Sequence, residues 1–252
     1  MSEPIISLHK LHIAFGSKDV IKDLDLDVMP GETLAIIGPS GSGKSTILRV
    51  LIGLLKPSGG QVLVQGQDVT GYTEDQWNEL RKRMGMVFQY SALFDFLTVG
   101  ENVAFGLRQH LHLPEAEIQQ RVRELLQDVG LEQDAAKYPS ELSGGMKKRV
   151  GLARAIAVNP EILLYDEPTA GLDPIRTMSI SRLIRKTQQK RHVTSLLVTH
   201  DMESTFVAAD RIAMLNEGKI IAVGSVDEMK NSSNPVVQGF IKGEAVSEEE
   251  AR

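Results

Sequence analysis

Two stretches of this chain carry residues whose types and spacing suit phosphate chemistry. The first, Gly38-Pro39-Ser40-Gly41-Ser42-Gly43-Lys44-Ser45-Thr46, has the spacing G-x-x-x-x-G-K-[ST]. Glycines let a backbone wrap a phosphate with its N–H groups turned inward, in conformations that a Cβ obstructs. A helix starting directly behind them aims free N–H groups and a partial positive charge at the same anion. In that setting Lys44 supplies a cation toward the β- and γ-phosphates of a nucleotide, and Ser45 supplies a hydroxyl to Mg²⁺. The second stretch, Leu142-Ser143-Gly144-Gly145-Met146, is another Gly-rich turn opening another predicted helix. A second phosphate-seeking turn in one small chain suggests a nucleotide held between two copies of it.

Ile162-Leu163-Leu164-Tyr165-Asp166-Glu167 is an apolar run ending in two acids, the way open α/β sheets present chemistry at strand tips. Alone it reads equally as a polar strand end ahead of Pro168. Beside the phosphate loop, Asp166 is expected to meet Mg²⁺ through water and Glu167 to act as the base that polarises an attacking water. Three more residues stand at comparable places. Gln89 follows the predicted strand 84–88 and could hold Mg²⁺ or the attacking water. His200 follows the apolar run 196–199, and Asp173 lies just beyond the acid pair. Each also has a plainer reading: Gln89 as a surface amide, His200 as a strand-end cap, Asp173 as the N-cap ahead of Pro174. The histidines at 9, 12, 110, 112 and 192 have no such placement.

The elements that must position these groups are legible in outline. Residues 5–14 and 20–28 alternate apolar and polar, as half-buried strands do. Residues 33–37 form a short apolar run that ends in the Gly-rich loop, and 44–55 read as a helix stopped by Pro57 and Gly59-Gly60. Further strands are predicted at 61–64 and 84–88. From about 99 to 158 the pattern is helical, with Ile118, Val122, Leu125, Leu126 and Val129 at helical spacing along 115–129. Strands return at 162–165, 193–198, 211–215 and 219–223, with a helix over 174–190. The expectation is a β/α core with a helical lobe inserted between about 90 and 159.

With net charge −5 the chain has no basic excess to form a nucleic-acid groove. Without cysteine, disulfides and thiolate metal sites are excluded. No apolar run approaches the ~18–20 residues that span a bilayer, and the first residues lack the pattern of a signal peptide. The chain is therefore expected to be soluble, and any membrane role to run through partners.

Together these residues resemble the ATP-binding cassette family, the nucleotide-binding subunits of ABC transporters, over nearly the whole chain. Residues 38–46 match its Walker A motif, and 162–167 its Walker B motif with the catalytic glutamate. Gln89 matches the Q-loop, 142–146 the signature motif, 170–173 the D-loop and His200 the switch histidine, all in family order. The resemblance implies an α/β P-loop NTPase fold: a single ABC ATPase domain over 1–243, with a RecA-like core (1–89 and 160–243), an N-terminal antiparallel β portion and an inserted helical subdomain at about 90–159. Residues 244–252 would be a disordered acidic tail. ATP and Mg²⁺ are the implied ligands. Gly38, Pro39, Ser40, Gly41, Ser42, Gly43, Lys44, Ser45 and Thr46 would surround the phosphates, with Ser45, Gln89 and Asp166 toward Mg²⁺. Phe15 would stack on adenine, core packing being its other reading. Lys44, Gln89, Glu167 and His200 would carry catalysis.

The resemblance further implies a head-to-tail homodimer, in which Ser143, Gly144 and Gly145 of one copy face the γ-phosphate held by Lys44 of the other, near Asp173. Integral membrane permease subunits would dock at a groove around Gln89, lined from Tyr90 to Phe105 with Leu93, Phe94, Phe96 and Leu97. The chain would then lie on the cytoplasmic face of the inner or plasma membrane. One departure stands out: the family usually ends its signature in Gln, whereas this chain has Met146. That Met, together with Tyr90-Ser91-Ala92-Leu93-Phe94-Asp95, Glu101-Asn102-Val103-Ala104 and Pro235-Val236-Val237-Gln238-Gly239-Phe240, resembles the cassettes of Mla/MCE-type lipid transport systems. Such systems imply an MCE-type substrate-binding protein and a small regulatory subunit as further partners. Amino-acid uptake cassettes share much of 89–103, and a soluble cassette ATPase of cofactor assembly is the other alternative.

Overall fold

The computed structural model describes residues 3–244. Chain order opens with β1 (Ile6–Phe15), β2 (Lys18–Val28), β3 (Thr33–Ile37), α1 (Lys44–Leu51), β4 (Gly59–Val64), β5 (Gln67–Asp68) and α2 (Glu74–Arg81). It continues through β6 (Met84–Val87), α3 (Val99–His110), α4 (Glu115–Asp128), α5 (Gly144–Ile156), β7 (Ile162–Asp166) and α6 (Pro174–Arg191). It closes with β8 (Thr194–Val198), α7 (Met202–Ala208), β9 (Arg211–Asn216), β10 (Lys219–Ser225), α8 (Val226–Lys230) and α9 (Pro235–Lys242). Apart from Glu244, the tail expected at 244–252 lies outside the described residues. The chain divides into two compact units, one running to Trp77 and resuming at Thr194, the other Asn78–Val193.

In the first unit β1 pairs antiparallel with β2 and β4, and β3 pairs parallel with β8 and β9. The alternation predicted for 5–14 and 20–28 is interrupted. Leu8 stands opposite Leu26, Leu11 opposite Leu24 and Ile13 opposite Ile21. Each strand therefore carries one extra residue, and the left-handed φ of Lys10 (45°) and of Asp23 (49°) marks the bulges. They return Ile6, Leu8, Leu11 and Ile13 to one buried face, which strict alternation could not do.

Helix α1 ends at Leu51, four residues before the predicted end. Gly53 at φ 71° sends its N–H to the Val50 carbonyl (3.0 Å), while the Leu54 N–H reaches Arg49 (2.8 Å). This is the Schellman arrangement, which terminates a helix wherever a glycine can take that conformation. A Cβ on Gly53 would lie 2.3 Å from the Trp77 ring, so the glycine is required twice over. The helix stop therefore lies upstream of Pro57, in the turn itself.

In the second unit α3, α4 and α5 pack on one another, and α5 lies against β6. Helix α4 buries Ile118, Val122, Leu125 and Leu126, the predicted stripe. The loop from Phe94 to Thr98 is organised by one fully buried side chain. Asn102 Oδ1 accepts from the Phe94 N–H (2.9 Å), and its Nδ2 faces the carbonyls of Phe94, Leu97 and Thr98 at 3.0–3.1 Å. Asn102→Ala would leave the Phe94 N–H and the Leu97 carbonyl without these partners, while the Phe94 and Thr98 carbonyls keep the backbone N–H groups of Leu97 and of residue 102. It is expected to lower stability by about 2–4 kcal/mol, read as a shifted midpoint in urea unfolding; an unchanged midpoint would contradict this account of the loop.

Candidate functional site

The parallel pairing of β3 and β8 sets one edge of the first unit. Ile36 stands opposite Val198, and the Thr199 N–H donates to the Ile36 carbonyl at 3.2 Å. The loop beginning at Gly38 and the segment Thr199-His200 thus leave the sheet at the same C-terminal edge. Gly38 is buried, with its backbone against Leu215: a Cβ there would lie 2.1 Å from the Leu215 carbonyl oxygen, so no other residue fits. Lys44 is buried and its Nζ donates to the carbonyls of Gly38 (2.8 Å) and Pro39 (3.0 Å), holding the ammonium across the loop.

Within the loop the Ser42 N–H donates to Pro39, and the Thr46 N–H to Gly43. The N–H groups of Gly41 and Gly43 have no hydrogen-bond partner among the described residues, nor does the buried Ser42 Oγ. Gly43 is the N-cap of α1 and gives it no side-chain cap, and no acid occupies the helix's first turn. Unpaired donors, an uncapped helix N-terminus and an adjacent ammonium form a cradle for a phosphate group. Pro39, Ser40 and Gly41 are exposed, and Ser45 and Thr46 are half-buried.

Phe15, at the end of β1, is 52% exposed, so core packing is not its role. The neighbouring Asp201 caps α7, its side chain accepting from the Ser204 N–H at 3.1 Å. His200 itself is exposed.

In the second unit, β6 and β7 pair with Val87 opposite Tyr165. Two residues further along each chain, Gln89 and Glu167 come off the same sheet edge, both half-buried, with Asp166 at the tip of β7. Glu167 has φ 46°, a conformation that a side chain other than glycine adopts at a cost of about 1–3 kcal/mol and that clusters at functional sites. Serine 143 is the N-cap of α5 and accepts from the Met146 N–H (3.4 Å). Ser143 and Gly144 are exposed, while Gly145 is buried beside Arg176. Ser143, Gly145, Met146, Arg149 and Arg176 line a groove of about 400 Å³. Asp173 does cap α6: its carboxylate accepts from the Arg176 N–H (3.0 Å) and pairs with the Arg176 guanidinium at 3.2 Å.

Sequence reasoning missed the residues beneath this edge. Lys148 lies in the run Lys147-Lys148-Arg149, which reads as solvent-facing charge, yet it is only 6% exposed. Its Nζ donates to the Gln89 carbonyl and approaches the Glu167 carbonyl at 3.5 Å. Burial pushes its pKa down, and the Glu167 and Asp166 carboxylates pull it back up. Arg154 donates to the carbonyls of Ser91 (2.8 Å) and Ala92 (2.6 Å), consecutive residues with left-handed φ. No local pattern in the sequence signals either contact.

Comparison with known proteins identifies the family. The ABC transporter family model matches residues 21–170. The chain is 41% identical to the intermembrane phospholipid transport system ATP-binding protein MlaF of Haemophilus influenzae, over 97% of this chain and 93% of that one. It is 44% identical to the methionine import ATP-binding protein MetN of Xanthomonas campestris, over 96% of this chain and 73% of that protein. Among solved structures it superposes with TM-score 0.80 and 32% identity on the dimeric post-hydrolysis state of the ATP-binding cassette MJ0796 bound to ADP and Pi, covering 88% of this chain and 98% of that one. This chain belongs to the ABC transporter family and has the α/β fold of its ATPase cassettes.

Proposed function

We propose that this chain is the ATP-hydrolysing subunit of an ABC transporter, that two copies close around two ATP, and that they drive separate permease subunits moving phospholipid or another envelope lipid. The observation that carries the motor reading is the turn after β3, with unpaired N–H groups at Gly41 and Gly43, the unpaired Ser42 hydroxyl and the Lys44 ammonium around one point. In this reading Gly38 through Thr46 hold the phosphates and Phe15 offers its exposed ring to adenine. Ser45, Gln89 and Asp166 provide hydroxyl, amide and carboxylate oxygens, the hard donors Mg²⁺ takes. Among the described residues no three His, Cys, Asp or Glu side chains cluster as a metal site, so water and phosphate oxygens would complete the shell. Bound Mg²⁺ supplies charge neutralisation at the phosphates.

Glu167 takes the proton of the attacking water, and Gln89 and His200 orient water and γ-phosphate. Ser143, Gly144 and Gly145 offer a second helix N-terminus to the nucleotide of the other copy, the Ser143 side chain engaging only the Met146 N–H, with Asp173 at the same joint. This accounts for two phosphate-seeking turns in one chain.

A permease partner is supported by an aromatic surface in the second unit. Tyr90 is 85% exposed and Phe96 77%, and Phe94 joins Phe96 to Phe105 with ring centroids 5.8 and 4.7 Å apart. Among the described residues no helix is long and apolar enough to cross a membrane, so membrane attachment would be peripheral, on the cytoplasmic side, through that surface. The lipid cargo, with an MCE-type protein and a small regulatory subunit as further partners, is supported by the likeness to MlaF over nearly both chains and by Met146 in the signature. The comparable identity to a methionine importer supports amino-acid uptake as the second reading.

Glu167→Gln should keep ATP binding, lower turnover by about 10²–10⁴-fold and accumulate an ATP-bound dimer in gel filtration; wild-type turnover would refute the base assignment. Lys44→Ala should weaken ATP binding about tenfold or more, since a charge-assisted contact is worth about 1.5–3 kcal/mol, and an unchanged titration would count against its phosphate role. Purifying the tagged chain from detergent-solubilised native membranes tests the cargo. A permease with an MCE-type protein and phospholipid is expected; a permease with an amino-acid-binding partner would select the second reading.

A further inference from the structure

Helix α5 does more than present the turn at Ser143. We propose that Lys148 is a positioning residue for hydrolysis, holding the backbone of Gln89 and of Glu167 from a single point on α5, so that the helix opened by Ser143 sets where the amide and the carboxylate stand. This rests on the hydrolytic reading of Gln89 and Glu167 and adds a residue to it.

Burial constrains Lys148. A lysine at 6% exposure needs partners for its ammonium, because an unpaired buried charge is strongly unfavourable. The partners here are backbone carbonyls: Gln89's directly, and Glu167's at the outer limit of hydrogen-bond reach. Each belongs to a residue whose side chain is assigned to the chemistry, and each residue leaves its strand at the same edge of the β6–β7 pair. A carbonyl fixed at Gln89 restricts the φ and ψ that aim the Gln89 amide. The Glu167 carbonyl closes the left-handed turn that aims its carboxylate (φ 46°) by accepting from the Ala170 N–H at 3.1 Å, and the Lys148 ammonium reaches the same carbonyl from α5 as a second donor. Lysine's compact ammonium carries three donors, enough for both carbonyls.

The rest of the same helix face supports this. Gly151 lies one turn after Lys148, and a Cβ there would come 3.5 Å from Ser91. Arg154 follows after another turn and takes the Ser91 and Ala92 carbonyls with the two arms of its guanidinium. Lys148 and Arg154 thus hold the chain from Gln89 to Ala92, with Gly151 lying beside Ser91 between them, where two successive residues carry left-handed backbone conformations. At the other end of α5, Ser143 and Gly144 are exposed. Displacement of this one helix therefore shifts Gln89 and Glu167 together.

The test uses the purified full-length chain with Mg-ATP, comparing wild type, Lys148→Met, Lys148→Gln and Lys148→Arg. Methionine keeps length and helix propensity and removes every donor. The expected result is a kcat about 10–100-fold below wild type in Lys148→Met, the size of effect that a displacement of about 1 Å produces. KM for ATP and the affinity for a fluorescent nucleotide should stay within about threefold, because Lys148 is not assigned to the phosphates. Lys148→Arg should recover most of kcat, and Lys148→Gln should fall between. If Lys148→Met does not fold, judged by its unfolding midpoint, the Gln and Arg pair decides. Wild-type kcat in the Met and Gln variants would overturn the assignment, as would nucleotide affinity falling in step with kcat, or an arginine no better than glutamine. A wild-type chain that binds ATP without hydrolysing it would overturn the hydrolytic reading itself, an outcome visible before any variant is compared.

Discussion

Backbone donors left unpaired inside a protein are costly, and the first unit is arranged around keeping some of them so. The Gly43 N–H and the Ser42 hydroxyl are withdrawn from bulk water and have no protein partner among the described residues; leaving such a group unsatisfied costs about 1–3 kcal/mol. A phosphate seated in the turn removes that penalty and adds the attraction of Lys44 and of the α1 N-terminus. The geometry cannot relax to remove it otherwise. Gly38 is locked against the Leu215 carbonyl at one end, and α1 begins at Lys44 at the other. The apolar β3, fully buried from Thr33 to Ile37, makes the base of the turn rigid. A flexible loop would fold its donors back onto its own carbonyls and lose the pocket.

The second unit meets a different demand. In the proposed reaction, attack on a phosphate needs the Gln89 amide and the Glu167 carboxylate held to within a fraction of an ångström, yet both sit on irregular chain just beyond strand ends. Pairing of β6 with β7 fixes their starting points, but not the segments that follow. Those segments are fixed from the side: α5 takes carbonyls at Gln89, Ser91 and Ala92, while α3 takes Phe94, Leu97 and Thr98 through Asn102. The exposed aromatic surface from Tyr90 to Phe105 is built on that same stretch. A partner pressing on the surface would act on backbone already tied to two helices, so the push would be passed on rather than absorbed.

What was legible in the sequence divides along the range of the interactions involved. The phosphate loop, the strand ending in Asp166 and the α4 stripe are local patterns, and each forms where its spacing says. Features that depend on tertiary packing were not legible. The bulges at Lys10 and Asp23 are an agreement between two strands about register. The early stop of α1 is made in the turn at Gly53, where the Trp77 ring, 24 residues downstream, also bars any side chain. Lys148 reads as surface charge because its partners lie 59 and 19 residues away. Where two local readings competed, Phe15 is exposed rather than core, and Asp173 is the cap of α6.

Met146 can be weighed in the same terms. Glutamine at the end of the signature would contribute a side-chain amide, able to donate and accept. Replacing it with methionine removes that amide, but not the donors on which an anion site at a helix start depends, which are backbone N–H groups. The Met146 N–H is in any case committed to Ser143 as its N-cap contact, leaving the N–H groups of Gly144 and Gly145 ahead of it in the first turn of α5. The half-buried methionine lines the groove with Leu131 and Ile180, where a flexible thioether packs, beside the polar Ser143, Arg149 and Arg176. The substitution therefore changes the polarity of the groove wall while leaving the anion-facing turn intact. Met146 thus bears on the groove wall rather than on the backbone N–H groups of the turn.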